Sequence, residues 1–440
     1  MGAALMDRWG VPVQGGNEEA VAALDRAIEC LVALAGDPAA GADAAVAAGG
    51  DLVLAHVFLA YLSLYATSAP GVAEAAKILS DLGEAEDLVG EREALHVQAA
   101  RSWAAGNWTA AARALERALV LNPRDMLALK VAQDLYFFLG SRLDLRDVAA
   151  RVLRAWPASE PGWGYVQGIY AFGLEENADY RQAESRARAA LQHNSRDVWA
   201  VHALAHVFEM EGSQRDGVAF LTATLPDWQS SYFAVHNWWH RALYHLELGE
   251  SDQAVALYDR SIRASRSTEW LNIVDAAALL WRLSLYGLDI TARASELASD
   301  IEVLMDGMPV YAFNDWHAVM TFGLDGRHER NERVLADNRQ LTVGTNRAAV
   351  QQAGIALLEG FAAFAAGEPE RALDLMIDIR QTANAVGGSH AQRDVIDLTL
   401  IAAAARAGQG SLARALVAER TARKPSASAA AEQIVAVNSR

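Results

Sequence analysis

Residues 92–123 read REALHVQAARSWAAGNWTAAARALERALVLNP, and this stretch decides the fold. A helical pattern that includes His96 ends at Gly106, and Asn107-Trp108 makes a turn. A second helix follows with Ala111, Leu115, Ala118 and Leu119 on one face. Asn122-Pro123 stops it, because proline has no amide to donate and its ring collides with the preceding turn. The unit is therefore a hairpin of two helices, with a glycine at the turn, alanines where the helices touch and a closing proline.

The same turn recurs along the chain. Gly71, Gly106, Gly140, Asn177, Gly212, Gly249, Gly287, Gly326, Gly367 and Gly408 follow one another in steps of 34 to 41 residues. After Gly249 come Asp252, Ala254, Leu257 and Tyr258; after Gly367 come Pro369, Ala372 and Leu375; after Gly408 come Ala413 and Leu416. No sustained period-2 stretch rich in Val, Ile and Thr interrupts the series, so strands are not needed. The hairpin resembles the tetratricopeptide repeat, whose usual length is about 34 residues. The expected fold class is all-α, a tetratricopeptide-like α-α superhelical solenoid of about ten hairpins. It would run as one array over residues 1–425, leaving 426–440 as a small, polar tail that frays. Short segments at Gly36–Gly50 and after Lys424 are the only linker-like stretches.

The 440 residues carry a net charge of −17, with 38 basic against 55 acidic residues, so a broad nucleic-acid surface is not expected. By length alone two or three ordinary domains would fit, and it is the repeat step that reduces them to one array. The single cysteine, Cys30, excludes a disulfide framework and a cysteine-based zinc site, and it fits a reducing compartment. All basic residues but Lys77, Lys130 and Lys424 are arginine, as in proteins of GC-rich bacterial genomes. Asp7 and Arg8 arrive before any apolar run, so no secretory signal is read. The longest apolar stretch, Leu52 to Ala69, holds His56, Tyr61, Ser63 and Tyr65 and reads as a buried helix, not a membrane span. The expectation is a cytoplasmic protein without a membrane segment.

The polar residues fall in register with the turns. In tetratricopeptide repeats the first helix of each hairpin lines a concave groove, and that likeness would place His96, His202, His206, Glu209, His236 and Trp239 toward it. The segment His202-Ala-Leu-Ala-His206-Val-Phe-Glu209 sets two imidazoles and a carboxylate on one helix face, since residues three and four apart are neighbours. His236-Asn-Trp-Trp-His240 repeats the pair, and His245 follows. Five of the eleven histidines lie between His202 and His245. Asp275 and Trp281 stand on a later first helix, and Asn314-Asp315-Trp316-His317 on another.

Three readings of this cluster stand open. The rings could be hydrogen-bonded core packing, although unpaired buried imidazoles are costly. They could form an acid–base site, with Glu209 orienting a histidine. They could hold a divalent metal, with His202, His206 and His240 as the ligands. No HExxH, GxxxxGK[ST], GxGxxG or GxSxG sequence is present, so no nucleotide cofactor is expected. Trp238 is read as packing and Trp239 as facing the groove.

Beyond the repeat itself, the chain resembles the tetratricopeptide repeat protein 38 family. The resemblance lies in Asp51-Leu-Val-Leu-Ala-His56, His202 to Met210, His236-Asn-Trp-Trp-His240-Arg-Ala-Leu, Asp275 with Leu280-Trp-Arg-Leu283, and Phe313-Asn-Asp-Trp-His317-Ala. These blocks span most of the chain, but the resemblance implies no particular reaction. Two functions follow as expectations. One is an enzyme of hydrolase or lyase type. His202, His206, Glu209, His236, His240, Asp275, Asp315 and His317 would act on a small organic molecule by hydrolysis, elimination or proton transfer. His56, His96, Trp239, Trp281 and Trp316 would bind the substrate. The other is a scaffold that holds a peptide or protein in its groove. The exposed ends of a solenoid also allow a homodimer.

Overall fold

The computed structural model describes residues 5–49, 51–83, 90–305, 307–425 and 428–439. Among these the architecture is helical throughout, save for one short antiparallel pair, β1 (Leu5–Met6) with β2 (Pro12–Val13), which lies against the first helix. The absence of alternating apolar patterns had left no place for strands, and these two-residue strands are too short to leave one.

Two compact units are formed: residues Met1–Ala203 with Pro226–Phe233, and Leu204–Leu225 with Ala234–Arg440. The array expected as one body is thus grouped as two. The first unit contains α1 (Glu18–Ala33), α2 (Pro38–Ala48), α3 (Val53–Tyr65), α4 (Ala69–Asp81), α5 (Glu91–Ala104), α6 (Trp108–Leu121), α7 (Met126–Phe138), α8 (Arg142–Val152), α9 (Trp163–Glu175) and α10 (Tyr180–His193). Helix α11 (Val198–Met210) contributes its first turns to this unit and the rest to the second. The second unit continues with α12 (Gln214–Ala223), and after α13 (Leu225–Trp228) come α14 (Ala234–Glu247), α15 (Ser251–Leu257), α16 (Trp270–Leu285), α17 (Thr291–Leu304), α18 (Ala312–Leu324) and α19 (His328–Arg339). It ends with α20 (Gly344–Ala349), α21 (Ile355–Ala365), α22 (Pro369–Met376), α23 (His390–Arg406), α24 (Gly410–Arg423) and α25 (Ser428–Asn438).

The helices pair as hairpins. In the first unit α3 packs on α4, α5 on α6, α7 on α8 and α9 on α10; in the second, α14 packs on α15, α16 on α17, α18 on α19, α21 on α22 and α23 on α24. The turn glycines explain why. Gly106, Gly140, Gly212, Gly249, Gly287, Gly326, Gly367 and Gly408 all have φ between 63° and 80°, a left-handed conformation that a Cβ disfavours. At each, the following amide reaches back to close the helix end, as in Asn107 N to Ser102 O at 2.8 Å and Glu250 N to His245 O at 2.8 Å. One turn departs from the series: Ala178, not Asn177, takes the left-handed position, with φ of 62°. Gly71 is not a turn residue either. It lies within α4, whose cap is Ser68, and the chain reverses at Ala66–Thr67 instead.

Both linker-like stretches contain a helix. Asp37 caps α2, with Pro38 at its first turn, and Gly41 lets the helix lie against Ala27, where a Cβ would come within 2.9 Å of that alanine's own. Residues 428–438, expected to fray, form α25. Ala431 and Ile434 are buried, and the Asn438 amide donates to Leu285 O at 2.9 Å. The apolar stretch beginning at Leu52 ends as helix at Tyr65. One helix, Gly344–Ala365, is long and apolar enough to cross a membrane by length and composition; half of its most apolar window is buried inside the protein, as for a core helix.

Candidate functional site

In the second unit α11, α14 and α16 bring the histidines and carboxylates together. Helix α14 is held against its neighbours by Tyr244, whose hydroxyl donates to Ala205 O at 2.6 Å. Its ring lies over Gly217 of α12, where a Cβ would approach it to 2.6 Å. With α14 so fixed, His236 and His240 point the same way, one helical turn apart.

Each ring is oriented by an acid from another helix. His236 Nδ1 lies 2.8 Å from an Asp275 carboxylate oxygen, and His240 Nδ1 lies 3.0 Å from Glu209. A carboxylate only accepts, so in both pairs the ring nitrogen donates. The tautomer this assigns carries its lone pair on Nε2. The His240 ring sits 4.4 Å from His206 and 4.8 Å from His236, centroid to centroid. His206, His236 and His240 can each place one ring nitrogen within 4.8 Å of the others'. All three are buried, as are Glu209 and Asp275. Burial, and then the neighbouring His206 and His236, hold His240 well below the ordinary imidazole range, so it is neutral near pH 7.

A second layer of charge stands behind Glu209. Lys424, just beyond α24, donates to Glu209 Oε1 at 3.1 Å and to Glu247 Oε1 at 3.2 Å. Arg420, one turn earlier, bridges Glu247 and Asp394, with 2.7 Å to each Asp394 oxygen. Burial would lower the lysine's pKa, but Glu209, Glu247 and Asp394 together hold it above its ordinary value. Arg282 of α16 stacks over Trp239 at 5.4 Å and donates to Ala391 O at 2.8 Å. Apart from Glu209, none of these cations or their acids was read as a site residue in the sequence. One signal was available: Lys424 is one of only three lysines in an arginine-rich chain.

The other expected site residues have the following neighbours. His202, one turn before His206 on α11, belongs to the first unit and packs there among Phe172, Trp199 and Phe233, 5.0 to 5.1 Å between ring centroids. His96, also in the first unit, is fully engaged: Nδ1 meets the Tyr61 hydroxyl at 3.2 Å and Nε2 meets Asp125 at 3.1 Å. His56 is half-buried on α3. His245 pairs with Glu250 at the hairpin turn, 2.7 Å away.

In the second unit His317 Nδ1 donates to its own helix at Phe313 O, 2.7 Å, and burial pushes its pKa down to about 3. Burial pushes the Asp315 carboxyl up to about 7, opposed by a hydrogen bond from Asn338. Trp281 donates to Thr399 Oγ1 at 2.9 Å, and Trp316 packs on Phe361, 5.2 Å between centroids. Trp239, read as facing a groove, is fully buried and stacks on His236 at 5.2 Å, whereas Trp238, read as packing, is half-buried under Arg241. The helix turns about 100° per residue, so a one-position error in register exchanges such neighbours.

The fold and the repeated turns define a tetratricopeptide-like helical repeat protein. No family model matches the chain. Among solved structures it is similar to a tetratricopeptide repeat protein from Parabacteroides merdae, with 14% identity over 70% of this chain and 99% of that one, at a TM-score of 0.32. The assignment to the repeat class rests on the hairpin pairing and turn geometry given above.

Proposed function

We propose that the second unit carries a chemical centre for a small organic molecule, worked by the His206, His236 and His240 rings with Glu209 and Asp275. The observation that carries this reading is the pair of buried, directed His–carboxylate couples at 2.8 and 3.0 Å. What packing alone does not call for is two such couples converging ring against ring, where each charge is costly to bury. The reaction class is polar: hydrolysis, elimination or proton transfer, in which an oriented imidazole or what it binds activates the substrate. Resemblance to the tetratricopeptide repeat protein 38 family is compatible with this and names no reaction.

A peptide-holding scaffold is the other reading. The residues that would have lined its groove, Trp239, Trp281, Trp316 and His240, are buried. A chain of several residues needs an open face of side chains, whereas a small molecule needs only a cavity that opens and closes. The test is a thermal-shift and turnover screen of small esters, lactones, hydroxy acids and amino acids, with a peptide array alongside. The expected result is stabilisation or turnover by a small molecule, lost in His240→Gln and in Glu209→Gln. Peptide binding that neither substitution changes, with no small-molecule hit, would replace this reading by the scaffold.

A further inference from the structure

His206, His236 and His240 are more than three buried polar rings. They bring their nitrogens to within 4.8 Å of one another from two helices, and two of them have Nδ1 held by a carboxylate. An imidazole whose Nδ1–H is donated to an acid is a better nitrogen base at Nε2, and its ring cannot rotate away. This carboxylate–histidine arrangement is what metal-binding histidines use to fix tautomer and direction.

We propose that His206, His236 and His240 bind one divalent transition-metal ion of the zinc class, with Asp275 and Glu209 orienting two of its ligands and Lys424 anchoring Glu209. This rests on the reading of the cluster as a chemical centre and supplies its cofactor class. An ion with Zn–N bonds of about 2.05 Å and tetrahedral angles sets its ligand nitrogens about 3.3 Å apart. The observed upper bound of 4.8 Å is met by small side-chain shifts. Three imidazole nitrogens suit zinc, cobalt or nickel rather than magnesium or calcium, which take oxygen ligands. Three protein ligands leave a fourth position for water or a substrate oxygen, as catalytic zinc sites do, whereas closed structural sites have four.

The sequence had offered His202, His206 and His240 as ligands; within the second unit the geometry adds His236 to His206 and His240. The role of Lys424 follows from Glu209 using both oxygens. Oε2 accepts from His240, and Oε1 accepts from Lys424 at 3.1 Å. The lysine is thus a positioning residue: it fixes the carboxylate that fixes the ring.

The experiment uses the full chain, stripped by a chelator and titrated with Co2+ and then Zn2+. Cobalt d–d absorption and equilibrium dialysis give coordination and stoichiometry. Expected is one ion per chain in a tetrahedral field, with affinity falling at least about 100-fold in His236→Ala and His240→Ala. It should fall about 10- to 100-fold in Asp275→Asn and Lys424→Met, and stay near wild type in Lys424→Arg. Asp275→Asn keeps the side-chain volume and serves if an alanine variant does not fold. His202→Ala leaving the cobalt spectrum unchanged supports the three-ligand centre, while loss of the spectrum in that variant overturns it. No cobalt spectrum in the wild type, or the same stoichiometry in the His206, His236 and His240 triple alanine variant, overturns the proposal. The two readings separate cleanly. Metal bound at these residues without any turnover removes the chemical centre and leaves the ion. Turnover that persists in metal-stripped protein but is lost in His240→Gln removes the ion and leaves the centre.

Discussion

Both units bury a histidine beside an acid and a long cation, yet they arrange them differently. In the first unit Arg92 donates to Asp125 at 2.7 Å and to Asp7 at 2.9 Å, and the same Asp125 meets His96, whose other nitrogen meets Tyr61. Every group there closes on a neighbour, and the histidine is one more tie. In the second unit the acids stand on the far sides of their rings, so the imidazoles face one another. The contrast is one of arrangement. Residue type and burial are the same, but in the second unit two His–carboxylate couples converge ring against ring.

The sharpest break between the two comes from removing a cation. Arg92→Met leaves Asp7 and Asp125 buried without their common partner and should cost about 3–5 kcal/mol in urea unfolding. Next in size is a pH effect in the second unit. Asp315 is an acid whose folded value, about 7, lies above its value in the unfolded chain, near 3.9. As pH rises from 4 to 7 the unfolded chain loses this proton while the folded one keeps it, so its contribution to stability falls, then levels off above 7. Unfolding at pH 4.5 and 7.5 should show a decline of about 3 kcal/mol attributable to this group, abolished in Asp315→Asn. Asp197 of the first unit, likewise pushed by burial to about 7, should add a decline of the same sign.

Lys424→Met should cost somewhat less than Arg92→Met, about 2–3 kcal/mol, because Arg420 still neutralises Glu247 and Asp394 and only Glu209 loses its cation. The histidines test the comparison itself. His96→Gln should cost about 1.5–3 kcal/mol and change no metal or ligand binding, whereas His240→Gln should alter both. The smallest effect lies in the turns. Gly249→Ala, with φ of 74° and open space around its Cα, should lose about 1 kcal/mol, and Ala178→Gly, with φ of 62°, should gain about as much. Equal signs in those two measurements would mean that the turns do not share one geometry.

The repeat was legible because its signals are local. A glycine at a helix end requires only its own φ, and eight of the ten proposed turn residues are left-handed glycines in the fold. Asn177 and Gly71 misled for the same local reason: a neighbouring residue can take the left-handed position instead. The coupling of His236 to Asp275, and of His240 to Glu209, was half legible. Helical spacing put the residues on inner faces, but which acid meets which ring depends on how helices 31 to 39 residues apart are set against each other. The reversal of Trp238 and Trp239 shows the limit of register arithmetic over a helix of 14 residues. Lys424 and Arg420 were out of reach. Their partners Glu209 and Glu247 lie 215 and 173 residues away, and no spacing rule spans such distances.

The 215-residue separation of Glu209 and Lys424 also sets an order of events during synthesis. A ribosome adding about 5–20 residues per second needs roughly 10–40 s to travel from Glu209 to Lys424. Once Asp275 has been added, the histidines and both acids exist in the nascent chain, but the cation that steadies Glu209 is still to come. The centre is therefore a late acquisition of the growing chain, completed by a hairpin made long after the residues it serves.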